Sequence, residues 1–292
     1  MSSTPPPAPC LWHGEDAVRH VGGEGLTAVV VPGRGAKIAS LVDGSGREWL
    51  AQPALPLDEP ARGPVSFVDA EMCGWDECVP TVDADVLDGT ALPDHGEAWS
   101  RPWMPTGDGA WGYDGDVLPY RFERAVRATA SGLRLEYRAE ATGDRAVPFL
   151  WAAHPQLLTG PGAHVVLPAD VTHVIGIHGV IGRQPWGPEL AAVDSVADGA
   201  SQKVWTDPAQ PAGWAELHVA EGSVLRMSWD ADVLPYLALW TDAADFSRER
   251  VIAFEPATAG TEAPSRALTR GTCRLLEPGE PLTWWVDLEV RA

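Results

Sequence analysis

Basic residues are scarce in this chain: 21 Lys and Arg stand against 41 Asp and Glu, a formal charge of -20. A surface so acidic repels phosphate backbones and anionic head groups, which argues against nucleic acid and membrane surfaces as partners and leaves a neutral ligand as the best fit. Cysteine is scarce too. Cys10, Cys73, Cys78 and Cys273 are too few and too scattered for the disulfide framework of a small secreted domain, and read as reduced thiols. No apolar run approaches bilayer length, and the opening MSSTPPPAPC has neither a basic nor an apolar stretch, so a cytoplasmic protein with a Pro-rich tail over residues 1–10 is expected. Walker loops, a dinucleotide fingerprint after a strand and a serine nucleophile elbow are all missing. Cys73 and Cys78 precede His95, but no second Cys or His pair completes a tetrahedral set, so no metal is expected.

Amphipathic helix patterns are also hard to find, and strand patterns take their place. Leu133, Leu135, Tyr137 and Ala139 alternate with Arg134, Glu136, Arg138 and Glu140, which gives one buried and one wet face. Residues 120–129 lie just before this strand, across Ala130-Ser131-Gly132, and predict a hairpin. Leu282, Trp284, Val286, Leu288 and Val290 repeat the alternation at the end of the chain. Further strands are predicted at 25–31, 36–42, 147–153, 163–168, 214–220, 223–229, 236–241 and 250–255, with Gly-containing turns between them. Many strands without alternating helices predict an all-β fold of antiparallel sheets packed face to face, as a single domain over residues 11–292. Residues 51–120, rich in Pro, Asp, Gly and Trp, break the alternation and form the expected ligand-binding wall.

Fourteen tryptophans outnumber the four tyrosines and five phenylalanines, and Trp75, Trp99, Trp103 and Trp111 fall in that irregular stretch. An indole face stacks on the C–H face of a pyranose, although most tryptophans are packing residues. His95, in LPDHGEAW, sits in a loop that either presents it to a cavity or leaves it on the surface. His154, in PFLWAAHPQLL, is either a hydrogen-bonded core histidine or a proton donor tuned by its pocket. Glu255 ends the apolar strand RVIAFE, where a carboxylate is costly unless paired, hydrated or functional.

Four segments, taken in order, resemble the galactose mutarotase superfamily: GRGAKIASLVDGSGREWL (33–50), MCGWDECVPTV with HGEAWSRPW (72–82 and 95–103), FLWAAHPQL (149–157) and IAFEPATAG (252–260). The resemblance implies a large antiparallel β-supersandwich whose concave face holds a monosaccharide. It implies aldose 1-epimerase chemistry without a cofactor, in a monomer or homodimer. His95 matches the family's substrate-binding histidine, His154 its general acid and Glu255 its general base. Acidic surroundings are expected to hold the His154 imidazolium. The family's Asn-Arg pair before the loop histidine and its Asp-His pair before the last third are absent. Asp76 and Glu77 are expected to hold hydroxyls in the arginine's place, with Trp75, Trp99 and Trp240 also on the sugar. The alternatives are a non-catalytic carbohydrate-binding or regulatory protein of the same fold, or an epimerase of a phosphorylated or non-sugar lactol, with Arg101 and Arg183 on the phosphate.

Overall fold

The computed structural model describes residues 5–63, 65–207 and 210–291. Two antiparallel sheets stack face to face, as the alternating patterns predict. The larger, twelve-stranded sheet runs in the order Ala8–Trp12, Glu15–Val21, Thr27–Val31, Lys37–Val42, Trp75–Cys78, Ala152–Pro155, Arg250–Ala257, Tyr236–Ala243, Ser201–Thr206, His173–His178 and Val180–Pro185, with Leu157–Leu158 also paired to Arg250–Ala257. The smaller sheet has eight strands and includes the predicted hairpin of Tyr120–Ala128 with Gly132–Ala141, followed by Leu282–Arg291. No helix among the described residues is long and apolar enough to cross a membrane.

Between the sheets lies one large apolar cluster running from Leu26 to Leu288. Tyr137 and Trp284 stack at 5.2 Å in its centre, with Trp151 against both. A buried ion pair is embedded there as well: Arg124 Nη1 donates to Glu77 Oε1, which also accepts from Tyr137 Oη at 3.1 Å. Trp151 Nε1 donates to Glu77 Oε2 at 2.8 Å, so both carboxylate oxygens are satisfied without water.

Three expectations change. Strand Ala8–Trp12 takes in residues 8–10 of the expected tail; residues 1–4 of that tail lie outside the described residues. The stretch 51–120 is irregular only to residue 74 and then carries five short strands. The strand predicted at 147–153 is two: Val147–Phe149 pairs with Arg274–Leu276, and the chain then crosses to the larger sheet at Ala152–Pro155.

Candidate active site

Cross-strand neighbours in an antiparallel sheet share a face and stand about 4.8 Å apart per strand. His154 is registered opposite Asp76 on one side. On the other side, the pairs Ala152 with Ala257 and Leu157 with Ile252 belong to one register and set His154 opposite Glu255. Glu255 in turn faces Ala238, and Ala238 faces Trp205. A single row, Asp76-His154-Glu255-Ala238-Trp205, therefore crosses five strands on the face turned away from the intersheet core.

Over this row opens a cleft of about 600 Å³, lined among others by His95, His154, Lys203, Trp205, Trp240 and Glu262. Phe67, from the irregular stretch, forms a wall. Its ring stacks on His95 at 4.0 Å and meets His154 edge-on at 5.3 Å. Asp94 Oδ1 holds His95 Nδ1 at 3.0 Å, and the Phe67 amide donates to Asp94 Oδ2 at 3.2 Å, so one carboxylate orients both rings. Burial pushes the Asp94 carboxyl up, but the hydrogen bond and charge of His95 outweigh it and hold the group below the usual range. His95 sits at φ 55°, a left-handed conformation that is uncommon for a residue other than glycine but open to histidine. Gly96 follows at φ 72°, and a Cβ there would lie 2.0 Å from the Val79 carbonyl oxygen.

His154 is 3% exposed, and its Nδ1 lies 3.0 Å from the Gln156 side-chain amide, which leaves Nε2 available to a ligand. Burial, then the neighbouring His95 and the Lys203 ammonium, push His154 well below the ordinary histidine value. The expected hold of acidic surroundings on an imidazolium is thus corrected: although Asp76 and Glu255 flank it in the row, burial dominates and favours the neutral ring. Glu255 has no exposed surface and is ion-paired to Lys203, whose Nζ is 2.6 Å from Oε2; neither carboxylate oxygen has a well-aligned hydrogen-bond donor. Burial raises Glu255 to about 7 against the opposing charge of Lys203, with Glu262 adding to the rise. Glu262 shares the same lysine at 3.0 Å and accepts from Trp205 Nε1 at 2.8 Å.

The structure brings together His95, His154 and Trp240 on the cleft; Glu255, wholly buried, does not line it and lies next to Lys203, which does. Trp240 lies 5.6 Å from His154, ring to ring. The other expected contacts are elsewhere. Trp75 and Glu77 point into the intersheet core, because their strand sends alternate residues to opposite faces and only Asp76 and Cys78 take the cleft side. Asp76 sits behind His154, bound to Lys37 at 2.5 Å. Trp99 packs edge-on against the Phe67 ring, 5.0 Å away, and supports the wall without lining it. Arg101 pairs with Glu97 and Asp116, and Arg183 with Asp207; neither lines the cleft. Sequence reasoning missed Phe67, Gln156, Lys203, Trp205 and Glu262. The alternation of Lys203 and Trp205 about Val204 is the one signal that marks a shared strand face.

No family model matches the sequence, and no curated protein matches it. Solved structures do. A protein of Synechocystis is 17% identical and superposes with a TM-score of 0.69 over 99% of this chain and 98% of that one. A galactose mutarotase-like protein of Clostridium acetobutylicum is 13% identical, with a TM-score of 0.71 over 99% of both chains. Another, from Lactobacillus casei, is 16% identical, with a TM-score of 0.66 over 94% of this chain and all of that one. Two packed antiparallel sheets with a cleft on the outer face of the larger, matched to these structures over nearly their whole length, make this chain a divergent protein of galactose mutarotase-like fold.

Proposed function

We propose that the protein is an aldose 1-epimerase that interconverts the anomers of a monosaccharide. The observation that carries this reading is the neighbour pair His154 and Glu255, set side by side by the strand register, with His154 lining a cleft walled by His95 and Trp240 and Glu255 buried beside it. Ionised Glu255 takes the proton of the anomeric hydroxyl while protonated His154 delivers one to the ring oxygen. The bond from C1 to the ring oxygen breaks, the aldehyde rotates about C1–C2, and reclosure on the other face returns both protons. The pair holds one proton throughout. In the empty site that proton rests on Glu255, and it moves to His154 to form the reactive state. Rotation of the Gln156 amide presents nitrogen or oxygen to Nδ1, so this partner serves either form of the ring.

A second reading, an anionic sugar such as a phosphorylated hexose or a uronic acid, is favoured by Arg266 and Arg270, which line the cleft from the helix Pro264–Arg270 of an otherwise acidic protein. Exchange NMR on free aldoses, hexose phosphates and uronic acids tests both readings. Faster exchange with the wild type, abolished in Glu255→Gln, is the expected result. Sugar binding without acceleration of any anomer would make the protein a carbohydrate binder instead.

A further inference from the structure

Lys203 stands on the cleft floor between two carboxylates, 2.6 Å from Glu255 and 3.0 Å from Glu262. It belongs to the strand Ser201–Thr206, and Glu255 lies two strands away, beyond Tyr236–Ala243. Its reach is possible because the residue between Glu255 and Trp205 in the cross-sheet row is Ala238, whose methyl leaves a channel over the middle strand. A long flexible side chain is fixed here at both carboxylates, and Trp205 Nε1 anchors the second of them. The Glu262 backbone is pinned as well: its carbonyl accepts from the amides of Val82 at 3.0 Å and Asp83 at 2.8 Å.

We propose that Lys203 is the positioning residue of this site: its ammonium, shared between Glu255 and Glu262, clamps the Glu255 carboxylate through an ion pair and fixes where it stands for proton exchange with the substrate. The inference rests on the epimerase reading only for its catalytic consequence; the clamp is a property of the ligand-free protein. Lys203 opposes the burial that favours a protonated Glu255, while Glu262 competes for the lysine and acts in the opposite direction. The two neighbours therefore bias the same carboxyl with opposite signs.

The test is a carbon-13 titration of protein labelled at the glutamate carboxyls, in which the signal missing from Glu255→Gln identifies Glu255, run beside pH profiles of kcat/KM for anomer exchange. Lys203→Met is expected to move the Glu255 titration up by at least about one pH unit, a tenfold change in its ionisation equilibrium. Glu262→Gln is expected to move it down, and Lys203→Arg to leave it close to wild type. Ala238→Val, which fills the channel while keeping the lysine, should reproduce the Lys203→Met shift and also serves if that variant does not fold. The alkaline limb of kcat/KM is expected to follow each shift. A Glu255 titration that stays in place in Glu262→Gln and in either Lys203→Met or Ala238→Val overturns the clamp, whatever the activity. Shifted titrations in a protein that exchanges no sugar leave the clamp standing and remove the epimerase reading.

Discussion

At the scale of single residues, the proposed reaction turns on one proton and its two hosts. Burial together with nearby cations keeps His154 neutral, and burial holds Glu255 up to about 7, so the one-proton state of the pair exists from below neutrality to about pH 7. Above that the pair loses its proton, and kcat/KM should fall about tenfold per pH unit; a rate that climbs through pH 8 would rule out this proton inventory. His154→Asn keeps a polar group of similar reach but cannot pass the proton. It should lower kcat by roughly 10²–10⁴ and leave the sugar dissociation constant within a few fold, a split that single-turnover and binding measurements resolve. Asp94→Asn removes a charge-assisted hydrogen bond to His95 worth about 1.5–3 kcal/mol. If His95 positions substrate, as proposed, without exchanging its proton, the expected mark is a KM raised by roughly tenfold or more with little change in kcat.

At the scale of elements, the strand Trp75–Cys78 carries two jobs on two faces. Glu77 and its partner Arg124 are both buried in the intersheet core, and removing one member of such a pair strands the other charge. Glu77→Ala should cost about 3–5 kcal/mol in denaturant unfolding. The His95 loop depends on its glycine: Gly96→Ala places a methyl against the Val79 carbonyl in a left-handed backbone, and is expected to lose stability and displace His95 together. The sequence made the long strands readable because residues such as Leu133 to Glu140 expose one face to water. It did not reveal which way Trp75 to Cys78 point, because all four are buried and no polar face marks the phase, so Trp75 and Glu77 were assigned to the wrong side. Ser201–Thr206 escaped notice for the same reason: five of its six residues are buried, and its lysine is hidden by carboxylates that arrive from a distant part of the chain. His95, His154 and Glu255 stand out in the sequence because their motifs resemble a family in sequential order, information that no local pattern carries.

At the scale of the whole molecule, a charge of -20 repels itself across both sheets. Screening shortens the reach of that repulsion from about 30 Å at 0.01 M salt to about 8 Å at 0.15 M. The melting midpoint should therefore rise by at least about 2 °C over this range, which calorimetry can read directly; a fall would mean that surface ion pairs outweigh the net charge. The cross-sheet row that joins Asp76, His154 and Glu255 also sets where the chain tolerates a change of length. Losing or gaining one residue inside Trp75–Cys78 or Ala152–Pro155 turns every later side chain of that strand to the opposite face, burying the cleft's groups and exposing the core's, whereas residues 51–63 have no such phase to keep. A change of length is thus tolerated in such irregular segments and not in the strands whose phase sets His154 beside Glu255.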